Sequence, residues 1–182
     1  MSWRKRVVLA ALSGASVWPL SGLLSWLDPE DRLSDWCYYA FIGAPFGALV
    51  LVPFLPAKRQ RMVSVIVLVL GSILIYRLVA ELAAGSYGPL KLNEDISLVV
   101  SGLLGALLAG ALAKFVVPLQ TSRWFWVAMT VAGLFGGFVF SLAWGSSHDA
   151  MPAAGYVVWQ VAVCLALIKG TTLAGRASTD TW

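Results

Sequence analysis

The chain has 182 residues, of which 59% are hydrophobic and 12% charged, with a formal net charge of +4. A soluble domain is about 45–50% apolar, so this composition, with a mean hydropathy of +0.81, argues against a water-soluble fold. About 20 consecutive apolar residues cross a bilayer core, and six runs of that order are legible: 7–27, 36–55, 62–83, 96–117, 124–144 and 153–173. The expected fold class is all-α: a polytopic six-helix transmembrane bundle forming a single integral membrane domain over residues 1–182.

The basic pI of about 9.3 reads as a topology signal and not as a nucleic-acid signal. With the N-terminus in the cytoplasm, the inner face collects Arg4, Lys5, Arg6, Lys58, Arg59, Arg61, Lys114, Arg123, Lys169 and Arg176. The outer face keeps Arg32 and Lys91 and gathers the acids Asp28, Glu30, Asp31, Asp35, Glu94, Asp95 and Asp149. Lysine and arginine in short loops set the orientation of a membrane protein. The expected topology is therefore N-in/C-in, in a cell inner (plasma) membrane, with anionic lipid as partner at the cytoplasmic face.

The first run follows Arg4-Lys5-Arg6 as the apolar core of a signal peptide would, but it extends to Leu27. A signal core spans only about 7–15 residues, so an uncleaved helix is expected. Pro19 should kink it by removing an N–H from the helical ladder. The second run opens with Trp36, Tyr38 and Tyr39 at headgroup level, then carries Gly43-Ala44-Pro45-Phe46-Gly47. That GxxxG gives one face for close helix approach while its proline weakens the backbone.

The third run holds an opposite-charge pair, Arg77 and Glu81, spaced for an i,i+4 contact. At 1.5 Å per residue Arg77 is about 22 Å from the start of the helix, close to the outer edge of a core about 30 Å thick. The fourth run repeats small residues at Gly102, Ala106 and Gly110, and the fifth at Gly133 and Gly137. These stripes predict that the fourth and fifth helices touch backbone to backbone. The sixth presents Tyr156 and Trp159 and ends near Lys169.

Arg77, Glu81, Trp18, Tyr38 and Tyr76 are the candidate ligand-binding residues, in an outward-facing pocket walled by the two proline-interrupted helices. Interrupted spans line cavities in transporters because freed backbone groups need partners other than lipid. The competing reading is structural: Arg77 snorkels to the interface and pairs with Glu81. Ser146-Ser147-His148-Asp149 has acid–base atoms, but neighbours in one turn do not form a nucleophile–base–orienter geometry. Ser13 in the first helix has no histidine on a facing helix to activate it. No catalytic residue, metal ligand set or cofactor is expected, and Cys37 and Cys164 fall at depths too different for a disulfide.

Six spans in 182 residues, both ends inside, with Ala11 and Ala15 one turn apart on the first helix, resemble the substrate-binding subunits of energy-coupling vitamin transporters. The resemblance implies a substrate pocket and a small-residue contact with a transmembrane partner. The residues themselves lead first to a non-enzymatic accessory or scaffold subunit packing on a membrane-protein partner or a second copy. A small-solute transporter or binding subunit with a pocket near Arg77 is the alternative.

The charge asymmetry makes a direct prediction. In a chain lacking Cys37 and Cys164, Glu30→Cys will react with a membrane-impermeant thiol reagent in intact cells. Gln60→Cys will react only after permeabilisation. Labelling of both from one side overturns the topology.

Overall fold

The computed structural model describes residues 1–27, 35–56, 62–83, 94–117, 119, 122–144 and 151–177. The sequence features at Asp28–Asp31, Lys58–Arg61 and Ser146–Asp149 lie outside them. The described residues are all helical: α1 (Trp3–Leu27), α2 (Asp35–Pro45), α3 (Met62–Ala83), α4 (Glu94–Val116), α5 (Arg123–Trp144) and α6 (Met151–Ala177). Among the described residues, five segments are long and apolar enough to cross a membrane: Trp3–Leu24, Cys37–Phe54, Met62–Ala83, Asp95–Val116 and Arg123–Ala143. α6 is a helix of 27 residues with an apolar stretch at Ala154–Gly170.

The two proline-bearing helices behave differently. α1 continues through Pro19, with a serine on either side of it bonding back to the carbonyl three residues earlier. Ser16 Oγ donates to Ser13 O at 2.7 Å and Ser21 Oγ to Trp18 O at 2.8 Å. In the second span the α-helix ends at Pro45, and the chain continues as a π-helical turn, Phe46–Leu51, and a 3-10 turn, Val52–Phe54. Pro45 has no N–H to give to the preceding turn. The ladder re-forms with longer steps, the Val52 N–H reaching back to Gly47 O. The wider turn carries Phe46, Gly47, Val50 and Leu51 into the interior.

Each helix packs on the next in the chain, and α1 closes the ring against α6. The π turn leans into that ring and meets α1, α3 and α6. Contact registers run antiparallel throughout: on α4 and α5, Gly137 faces Val99 while Gly133 faces Leu103. On α5 and α6, Phe140 faces Gly155 and Phe125 faces Gly170. Leu27, Asp35, Ala83, Glu94, Trp144 and Met151 thus belong to one end of the bundle, the acidic end. The start of α1, Val116, Arg123 and Lys169 belong to the other, the basic end.

With lipid as apolar as the side chains, helices in a membrane are held by dispersion and so gain from close approach. A Cβ built on Gly102 would lie 2.6 Å from Gly137 Cα, and one on Gly133 would lie 2.7 Å from Leu103 Cα and 2.9 Å from Ala106 Cβ. The α2–α3 contact works the same way, with Gly43 on Ile73 Cα at 2.6 Å and Gly47 on Val69 Cα at 2.8 Å. Gly110 makes room for side chains instead, those of Met129 and Phe125.

The basic half is densely filled. Phe54, Phe125, Met129, Val163 and Leu167 are buried there, and the Arg6 guanidinium covers the Phe54 ring at 4.3 Å. Such a contact contributes roughly 0.5–2 kcal/mol.

Glycine at these crossings has a measurable consequence. Gly102→Ala will destabilise the bundle by about 1–3 kcal/mol, the usual cost of overpacking, because the added methyl meets backbone. Gly22→Ala, where nothing lies within 4 Å, will leave stability unchanged or raise it. Thermal unfolding of the purified variants reads the difference.

Candidate functional site

The acidic half is not filled to the same degree. It holds a cavity of about 80 Å³ lined by α3, α4, α5 and α6. Helix directions order its walls by depth. Ile75, Tyr76, Gly105 and Trp159 form the floor, and Val79, Ser101, Gly102 and Gly137 form the middle. Ala83, Leu98, Phe140 and Tyr156 form the rim towards the acidic end. Val79, Ala80, Ala83, Phe140 and Tyr156 are only partly buried, so this part of the wall reaches the surface of the described bundle.

Four aromatic rings, those of Tyr76, Phe140, Tyr156 and Trp159, stand in the wall, and another continues below it. The Tyr76 ring stacks on Tyr156 at 6.2 Å and meets Trp159 edge-on at 5.9 Å. Phe140 closes on Tyr156 at 4.8 Å, edge to face. From the π turn, Phe46 supports the floor, 5.7 Å from Tyr76 and 5.4 Å from Trp159. Such pairs add roughly 0.5–1.5 kcal/mol each beyond the area they bury.

Hydrogen bonds hold the walls together. Trp159 Nε1 donates to Gly102 O at 3.0 Å, tying α6 to α4 at the level of the closest α4–α5 approach. Gln160 Nε2 donates to the Tyr76 hydroxyl at 2.9 Å, tying α6 to α3 beneath the floor. Nearer the acidic end, Ser97 Oγ donates to Leu82 O at 2.8 Å, satisfying a carbonyl in the last turn of α3. Ser141 Oγ donates to Asp95 Oδ1 at 2.9 Å between α5 and α4.

Among the described residues, four buried polar atoms have no hydrogen-bond partner: Arg6 Nε, Ser13 Oγ, Ser101 Oγ and Gln160 Oε1. Each such atom costs about 1–3 kcal/mol if nothing satisfies it. Ser101 is the one that lines the cavity.

Of the candidate binding residues, Tyr76 lines this cavity and the others do not. Successive helical residues turn by about 100°. Tyr76, Val79, Ala80 and Ala83 therefore share one face of α3, and Arg77 and Glu81 fall on the next. There the two are ion-paired, Arg77 Nε to Glu81 Oε1 at 2.7 Å, with side chains 37% and 24% exposed. Trp18 is 56% exposed on α1, and Tyr38 is 44% exposed on α2 with its ring edge-on to Tyr39 at 6.0 Å. The helices expected to wall the pocket, α1 and α2, give no lining residue.

Sequence reasoning passed over Ser101, Phe140 and Gln160. Gln160 had a signal: Gln60 and Gln120 fall between apolar runs, whereas Gln160 sits inside one. An amide at that depth needs a partner within the protein. Ser101 has no comparable signal, since serine is common in membrane helices and bonds to its own backbone. Cys37 and Cys164 are free thiols, the second buried. No family model, curated protein or solved structure matches the chain. The likeness to vitamin-transporter subunits thus rests on helix number and on Ala11 and Ala15, of which Ala15 is exposed.

The Tyr76–Gln160 bond can be isolated by a double-mutant cycle. Tyr76→Phe will leave the Gln160 amide unpaired and cost about 1–3 kcal/mol. Adding Gln160→Leu will recover most of that loss, because it removes the orphaned group as well. Unfolding free energies of the two single variants and the double variant check it.

Proposed function

We propose that this integral membrane protein is a non-enzymatic binding protein that holds a small uncharged molecule inside the bundle. Its pocket is reached from the acidic end. The observation that carries the reading is the contrast between the two halves: a partly open, aromatic-walled cavity above and a packed core below. A site with one mouth captures and releases; a conducting path needs two. In the N-in/C-in orientation, with α6 as the sixth crossing, the mouth faces outward from a plasma or inner membrane.

The lining chemistry supports binding over catalysis. Its oxygen-bearing side chains are Tyr76, Ser101 and Tyr156, and among the described residues the lining includes no carboxylate, imidazole or ammonium. A charged solute would enter this site without a counter-charge, which is strongly unfavourable in an apolar medium. Arg77 and Glu81 then act at the periphery, where their mutual pairing stabilises α3 near the interface.

The accessory-subunit reading needs small-residue faces free to receive a partner. Gly43, Gly47, Gly102, Gly133 and Gly137 are engaged inside the bundle, so that reading retains the apolar exterior and Ala15. The binding reading uses what remains unfilled.

A thermal-shift screen of the purified protein with small uncharged molecules tests it. A ligand that fills the cavity, at a hundredfold excess over its Kd, will raise Tm by about 5 °C or more. Ser101→Leu, which places a side chain in the cavity, will abolish the shift while retaining the helical spectrum. A screen with no shift, or shifts unchanged in Ser101→Leu, overturns the proposal.

A further inference from the structure

We infer that the ligand carries one uncharged hydrogen-bonding oxygen, a hydroxyl or a carbonyl, which pairs with Ser101 Oγ while its apolar body lies against Trp159, Tyr76 and Val79. This inference rests on the binding reading above and specifies the class of molecule bound.

Serines inside membrane helices ordinarily satisfy their hydroxyl by bonding back to the carbonyl three or four residues earlier. This chain does so repeatedly: Ser16 to Ser13 O, Ser21 to Trp18 O, and Ser72 to Leu68 O at 2.7 Å. Ser101 departs from that pattern. Its side chain is 2% exposed, its Oγ has no partner, and it stands in the cavity wall.

A buried hydroxyl of this kind is normally matched by water, an ion or a ligand group. Water is held in place only where it finds two to four polar partners. Besides Ser101, the side-chain oxygens of the described wall are the Tyr76 hydroxyl, which already accepts from Gln160, and the Tyr156 hydroxyl at the rim. A charge finds no counter-charge among the described lining residues. A single oxygen on an apolar frame fits both facts, because it satisfies Ser101 and leaves its apolar body to Val79 and the rings.

Size limits the class further. A closed cavity of about 150 Å³ takes a whole benzene ring, and this partly open one measures about 80 Å³. The oxygen and the part of the body against Trp159, Tyr76 and Val79 are therefore enclosed, and the remainder emerges past Phe140 and Tyr156. Small phenols, short branched alcohols and ketones have this form, as does the hydroxyl terminus of a longer apolar molecule.

The test compares phenol with toluene, which share a ring and differ by hydroxyl against methyl. Binding is measured by thermal shift and by titration of the protein in nanodiscs, with wild type, Ser101→Ala and Ser101→Thr in parallel. Toluene partitions into lipid more than phenol does, so the quantity read is the phenol-to-toluene affinity ratio of a variant divided by that of wild type. Partitioning cancels in it.

One net hydrogen bond corresponds to a change of about threefold to tenfold. The ratio will fall by that factor in Ser101→Ala and return in Ser101→Thr. If both compounds bind wild type and Ser101→Ala with the same ratio, the assignment of the oxygen to Ser101 is wrong and the pocket stands. If neither compound shifts wild type, the pocket and the ligand class fall together. In wild type alone, saturable phenol binding blocked by an uncharged competitor supports the inference, and blocking by organic anions in its place overturns it.

Discussion

Much of this structure turns on the absence of a side chain at Gly102. Without a Cβ there, the α5 backbone comes within contact of α4, and the two helices gain the dispersion energy that lipid does not supply. The same residue offers its carbonyl to Trp159, which fixes the orientation of the indole on α6. Its Cα then forms part of the cavity wall. One missing methyl thus couples helix spacing, aromatic orientation and the unfilled volume between the helices.

That coupling explains why the cavity lies where it does. Glycines bring α4 and α5 so close that no bulky side chain fits between them. Large rings from α3 and α6 then have to cover the depression left on the inner face. Tyr76, Tyr156 and Trp159 cover it from one side, and the π turn of the second span lifts Phe46 beneath them. Rigid rings bridge such a gap without filling it, whereas flexible aliphatic chains would collapse into it. In the basic half, Leu167, Met129 and Phe125 are fully buried in one cluster.

The helical class, the approximate ends of α3 and α5, the weakened backbone at Pro45 and the spacing of the glycines on α4 and α5 were all legible in the residues, because each is a local property. Runs of apolar side chains, a missing N–H and i,i+4 small residues act on the segment that carries them. The walls of the cavity depend instead on which helices are neighbours, and nothing local specifies that α3 faces α6 across the ring. Arg77 drew attention as an intramembrane charge, yet the helical turn aims it one face away from Tyr76. Ser101 was unreadable for the opposite reason: its importance comes from a hydrogen bond it does not make.

The closure of the ring by α1 against α6 has a consequence for biogenesis. α1 is mated to α6, which follows it in the chain by four intervening helices, and Gly14 rests directly on the Val157 backbone. Until α6 is inserted, α1 lacks the neighbour that covers Gly14, and the growing bundle stays open along that seam. The long wait for closure gives the bundle a point of vulnerability that its finished form conceals.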